Sequence, residues 1–197
     1  MDIQGKRILV LGGWGLVGRA VAKQLLEKKP SQIVVTSLRK DETDEIVEIL
    51  EPLGKKYSSE IVGEWGDIFV RESMKDRRRD EIYNNQELRS QLLADIYDDL
   101  NAHVLEESFL YRILQKYRPQ IIIDCINTAT AFAYQNLYEK VAQIRNAIGR
   151  DEAFTHANEM IENVEKLISS QYIPQLIRHI QILHVSMAEA DTEYYLK

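Results

Sequence analysis

The chain has a single cysteine, Cys125, among its 197 residues. An internal disulfide framework is therefore excluded, which suits a reducing compartment. Long apolar runs are missing as well. No stretch approaches the roughly 18–20 apolar residues of a membrane helix, and Met1 to Arg7 leads into only a short apolar run, unlike a secretory signal. The expectation is a cytoplasmic, soluble protein with no membrane partner. A surplus of positive charge is also lacking: 25 basic residues face 31 acidic ones, for a net charge of −6. Such a balance argues against nonspecific nucleic-acid binding, which needs a basic footprint. The four histidines, His103, His156, His179 and His184, carry no metal-ligand spacing. His179 and His184 are five apart and do not share a helical face, so no metal is expected. Cys125 has no activating neighbour in sequence and reads as a small hydrophobe.

What remains is an ordinary globular composition, 28% charged and 45% apolar, in a length that suits one domain with a sizeable core. Ile8 to Leu11 is an unbroken apolar run of the kind found in strands buried on both faces. Leu16 to Lys29 follows as a helix that Pro30 ends. Ile33 to Thr36 is a second strand. Asp41 to about Glu51 is an amphipathic helix, with Pro52 and Gly54 as its stop signals. Ser59 to Trp65 is a third strand. This β-α-β-α-β alternation predicts an α/β fold with a Rossmann-like, doubly wound parallel sheet. Residues 70–101 are highly charged and read as an insertion, partly helical from Gln86 to Leu100. Within it, the run Lys75 to Asp80 reads as a solvated face, or more sharply as a contact for a phosphate or partner. His103 to Tyr117 is predicted as one helix and Gln120 to Ile126 as the fourth strand. Helices follow over Ala131 to Ile148, Glu152 to Ser169, and Pro174 to about Ala190. Thr192 to Lys197 is the start of a fifth strand.

The candidate site begins at Gly12-Gly13-Trp14-Gly15-Leu16-Val17-Gly18. Gly13, Gly15 and Gly18 form G-x-G-x-x-G, while Gly12, Gly15 and Gly18 are also spaced three apart. In such a loop one glycine makes a tight turn, the next lets backbone approach a pyrophosphate, and the last lets helix pack on strand. The helix N-terminus then offers free N–H groups to the phosphates. Placement between a buried strand and an amphipathic helix supports this reading over that of a plain strand-helix turn. No Lys-Ser/Thr pair follows, so a Walker P-loop is excluded.

The second strand ends in Thr36-Ser37-Leu38-Arg39-Lys40. Ser37 stands where an acid would bind the ribose of NAD, and Arg39 and Lys40 follow. An arginine here binds a 2′-phosphate, so NADP(H) is favoured over NAD(H). The competing reading makes Arg39 and Lys40 a solvated entry to the next helix. After the third strand, Asp67 and Ile68 either approach the adenine or form a simple turn. Asp124, inside an apolar strand, must lie at a strand end or be paired, and a structural role is preferred. Phe132, Tyr134 and Tyr138 either line a substrate cleft or pack ordinarily.

With these motifs in place, the chain resembles the short-chain dehydrogenase/reductase superfamily, in particular its extended, epimerase-like branch. The glycines spaced three apart, Gly66-Asp67-Ile68 and Asn127-Thr128-Ala129-Thr130 carry the resemblance. It implies pyrophosphate on Gly12 to Gly18, adenine on Asp67, and a nicotinamide ribose near Asn127, Thr128 and Ala129. It also implies an oxidoreductase or sugar-nucleotide epimerase with a small-molecule substrate. Catalysis in the family uses a tyrosine with a lysine four residues later, and a serine after the fifth strand. None of the ten tyrosines here has such a lysine, and that serine would fall beyond Lys197. Residues 1–197 are accordingly expected to be a cofactor-binding portion truncated at its fifth strand, with catalytic residues unassigned. The alternative is a non-catalytic module that senses NADP(H). An exposed apolar edge would allow a homo-oligomer.

Overall fold

The computed structural model describes residues 2–127, Val141, Ile144 and 157–197. Five parallel strands, β1 (Arg7–Leu11), β2 (Gln32–Ser37), β3 (Glu60–Trp65), β4 (Ile121–Asp124) and β5 (Tyr194–Leu196), form one sheet in the order β3-β2-β1-β4-β5. The chain winds outward from β1 to β3, then returns to place β4 on the other side of β1. This reversal defines a Rossmann-like sheet and opens a crevice at the carboxyl ends of β1 and β4.

The described chain divides into two compact units. The first holds residues 1–76, 102–126 and 181–197, and so the whole sheet. Its helices are α1 (Leu16–Leu26), α2 (Lys40–Tyr57), α5 (Ala102–Glu107), α6 (Phe109–Tyr117) and the second half of α8 (Tyr172–Ala190). On one face Ile8, Val10, Ile33, Val35 and Ile121 pack with Ala22, Leu25 and Leu26 of α1 and Ile46 and Leu50 of α2. Alternate residues point to the opposite face, where Leu9, Leu11, Val34 and Ile122 are equally shut from solvent. The inward residues of α6, Phe109, Leu110, Ile113 and Leu114, are buried too. Runs apolar on both faces are what a fully covered parallel sheet requires.

The second unit, residues 77–101 and 127–180, contains α3 (Arg79–Asn84), α4 (Gln86–Tyr97), α7 (Ala157–Ser169) and the start of α8. Its buried Arg89 donates to the Tyr83 carbonyl at 2.7 Å and to Glu165 at 2.9 Å. Arg178 donates to the carbonyls of Ile96 and Asp98, capping the end of α4.

Several elements differ from expectation. Helix α2 does not stop at Pro52 and Gly54 but runs through both to Tyr57. Pro52 and Glu48, whose carbonyl it leaves without an amide partner, are both exposed residues. Gly54 is buried because α2 crosses β3 there: a Cβ would lie 2.7 Å from Ile61 Cγ1 and 2.8 Å from the Ser59 carbonyl oxygen. The helix ends instead at Ser58, in the left-handed conformation. The helix expected over 103–117 is two, α5 and α6, parted at Ser108. That residue is extended, pairs with Arg71 in an isolated antiparallel bridge, and caps α6 by accepting from the Tyr111 amide. Lys75 leaves the solvated run: its side chain pairs with Glu72 at 3.0 Å and lies over the Trp65 and Phe109 rings. The helix predicted over 131–148 and the start of the next lie outside the described residues, apart from Val141 and Ile144, which are helical.

Thr43 fixes how closely α2 approaches the sheet. Its hydroxyl faces the carbonyls of Arg39 and Glu64, each at 3.2 Å, and its methyl group would be 2.5 Å from a Cβ on Gly63. Rotating Thr43 away would forfeit those hydrogen bonds. Gly63→Ala should therefore destabilise the fold by about 1–3 kcal/mol through overpacking, read as a lower midpoint in denaturant titration with an unchanged slope.

Candidate functional site

The glycine loop leaves β1 at the point where strand order reverses. Gly12 turns the chain with φ +75°, a backbone region that side chains resist. Its amide faces the Thr36 hydroxyl at 3.4 Å, and the next amide, of Gly13, donates to the Thr36 carbonyl at 2.7 Å. The loop is thus pinned to the end of β2. Gly18 is buried in α1, where an added Cβ would overlap the Gly12 carbonyl oxygen and come within 2.8 Å of Gly13 Cα. Helix α1 can reach β1 only because that Cβ is missing.

Gly15 is different. It is exposed, its φ of −59° suits any residue, and an added Cβ would meet nothing closer than the Gly12 oxygen at 3.4 Å. The protein itself makes no demand for glycine there. Gly15 also begins α1, whose first turn has neither a side-chain cap nor an acidic residue. The amides of that turn and the positive end of the helix face outward beside an open backbone, as an anion site requires. Leu16 is 89% exposed and Val17 also lies in solvent, as does Leu38 past the end of β2.

Trp14 is held by α2: its indole N–H donates to Glu45 at 2.8 Å, while Arg19 takes the other carboxylate oxygen at 3.1 Å. The Trp14 hydrogen bond, followed by Arg19, keeps the Glu45 carboxyl below the usual carboxylate range.

At the end of β2, Ser37 donates its hydroxyl to Glu42 at 2.5 Å. Arg39 is exposed and pairs with Glu42 at 3.0 Å and Asp41 at 3.4 Å. Lys40 pairs with Asp44 at 2.6 Å and lies 5.3 Å from the Trp65 ring centre. Asp67 follows β3 in a turn, accepting from the Phe69 amide at 2.9 Å, and Ile68 is buried. On the other side of the crevice, Asp124 is the last residue of β4, level with Leu11. It is buried and paired: one oxygen accepts from Tyr195 at 2.8 Å and Lys197 at 2.6 Å, the other from the Ile126 amide at 2.9 Å. Burial, then the Asp124 carboxylate, pushes the Tyr195 phenol well above the ordinary tyrosine range. Burial, then the same carboxylate, also pushes the Cys125 thiol up. Asn127 comes next and is exposed; Thr128, Ala129, Phe132, Tyr134 and Tyr138 lie outside the described residues.

The fold thus brings Gly12 to Gly18, Ser37 and Arg39 to the carboxyl edge of the sheet. Sequence reading missed Glu42, Glu45, Tyr195 and Lys197. Tyr195 in β5 and Lys197 just past its end both reach Asp124, a meeting that no helical four-residue spacing reveals. Among the described residues, no three His, Cys, Asp or Glu side chains gather as a metal site, and no helix is long and apolar enough to cross a membrane.

No protein-family model matches the sequence, and no curated protein matches it. Among solved structures, a putative short chain dehydrogenase from Escherichia coli CFT073 aligns at 12% identity, covering 64% of this chain and 41% of its own, with a TM-score of 0.36. A-type ketoreductases from a modular polyketide synthase align at 16% identity over 93% of this chain and 36% of theirs, with a TM-score of 0.37. An NAD+-bound xylitol dehydrogenase aligns at 12% identity over 99% of this chain and 68% of its own, at 0.38. The chain therefore spans well under half the length of the first two. Likenesses this distant carry no weight for activity or cofactor; the fold rests on the strand order itself.

The Glu45 tether has a testable pH signature. Because its folded pKa is depressed, its contribution to stability is present above the unfolded value of 4.5 and lost as pH falls through the lower folded value. The difference in melting temperature between wild type and Glu45→Ala should persist at pH 5–7 and vanish on further acidification.

Proposed function

We infer that the chain binds a nicotinamide dinucleotide, NADP(H) in preference to NAD(H), as the cofactor-binding portion of an oxidoreductase related in chemistry to short-chain dehydrogenases or sugar-nucleotide epimerases. The observation that carries this is Gly15: a glycine that neither backbone conformation nor packing requires, at an uncapped helix N-terminus, at the reversal point of a Rossmann-like sheet. A pyrophosphate drawn against the loop supplies the missing reason, because a Cβ there would hold it off. Gly12 and Gly18 shape the turn, the first-turn amides of α1 bind phosphate oxygens, and Arg39 reaches a 2′-phosphate on exchanging its exposed partner Asp41 for it. Asp67 and Ile68 belong to the adenine side. When bound, the dinucleotide would supply hydride chemistry; these residues bind and orient it.

A second reading, an NADP(H)-sensing module without catalysis, draws support from Tyr195. Its phenol is committed as a donor to Asp124 rather than free toward a substrate oxygen.

Calorimetric titration of the purified chain tests the binding. Gly15→Ala should keep its melting temperature yet weaken NADPH at least about tenfold, or 1.4 kcal/mol, whereas Gly18→Ala should lose stability as well. Arg39→Ala should weaken NADPH about tenfold and leave NADH nearly unchanged. Tight NADPH binding by Gly15→Ala would remove the case for a pyrophosphate on this loop.

A further inference from the structure

No acid occupies the end of β2 in sequence, but the fold delivers one. We propose that Glu42 is the carboxylate that reads the adenosine ribose, and that it sets how strongly the site prefers NADP(H). This rests on the dinucleotide reading above and refines it. Glu42 is the third residue of α2, and its side chain folds back onto the strand end: one oxygen accepts from Ser37 at 2.5 Å, and the other forms an ion pair with the Arg39 guanidinium at 3.0 Å. Its side chain is only 14% exposed, against 62% for Arg39, so the carboxylate is a fixed feature of this corner and the guanidinium a movable one. Ser37 lies beside Trp65 in the register, its carbonyl taking the Gly66 amide at 2.9 Å. This corner, at the carboxyl end of the strand next to β1, is where a ribose lies in a Rossmann-like site.

Two opposed charges then act on the same ribose carbon. The free 2′- and 3′-hydroxyls of NAD(H) can donate to Glu42, a charge-assisted hydrogen bond. The 2′-phosphate of NADP(H) gains Arg39 but sits against the Glu42 carboxylate, a like-charge contact. Arg39 is also shared: while it pairs with Glu42, it is partly neutralised. Glu42 holds the preference for NADP(H) down; Arg39 holds it up.

The test is the ratio of NADPH to NADH affinity in wild type, Glu42→Gln and Glu42→Ala, with melting curves to establish folding. Gln keeps the size and the hydrogen bond with Ser37 but removes the charge; Ala covers the case in which Gln does not fold. Adenosine 2′,5′-bisphosphate and AMP, titrated in parallel, confine the effect to the adenosine half. A rise of about tenfold or more in the ratio, through tighter NADPH and weaker NADH, is expected, and the same shift between the two adenosine probes. A ratio that moves less than twofold, or moves toward NADH, overturns the role of Glu42 while leaving dinucleotide binding intact. Wild type that binds neither dinucleotide overturns both.

Discussion

Among the described glycines, the tightest approach is that of Gly18 to the Gly12 carbonyl. A single carbon at Gly18 would push α1 off β1. With it would go the first core layer, since Ala22, Leu25 and Leu26 reach the sheet from the same helix. The same approach also aims the start of α1 at the crevice. One steric condition therefore serves both stability and site, and the two uses fall on different glycines: Gly18 belongs to the packing and Gly15 to the space outside it.

Electrostatics divides along the same crevice. On the β2–β3 side, Arg39, Lys40 and Lys75 are each matched with acids, and two of them lie over the Trp65 ring. The Lys40–Asp44 pair is exposed and adds little to stability, while Glu42 and Lys75 are largely shielded. On the β4–β5 side, Asp124 is buried and satisfied from three directions. A buried carboxylate with fewer partners would be expensive, so Tyr195 and Lys197 are its condition for existing there.

Much of the fold was legible in the sequence where the signal was local. The apolar runs of β1, β2 and β4 had to be buried on both faces, and the glycine spacing located the turn between β1 and α1. The α/β alternation led to the parallel sheet. Local signals failed where distant packing overrode them. Pro52 and Gly54 look like stops, yet α2 continues because Leu53 and Tyr57 still have core to cover. Ser108 breaks a continuous apolar pattern because Arg71 pairs with its backbone. In the site, the glycines could be read directly. Glu42 could not, because it reaches the strand end from the following helix rather than from the strand itself. Lys197 meets Asp124 across 73 residues, and no spacing rule links them.

The order of strands also bears on how the chain acquires its shape. Gly12 and Thr36 of β2 meet across 24 residues, whereas β1 finds β4 only across a separation such as the 113 residues between Arg7 and Gln120. Closing the longer loop costs more chain entropy, and pairings of such range slow folding. The half of the sheet that carries the glycine turn and the Ser37 corner can therefore assemble as a local unit, while the opposite wall of the crevice waits for a late, long-range docking of β4. A ligand that spans both walls would bind only after that docking, and by mass action would hold the slowest part of the fold in place.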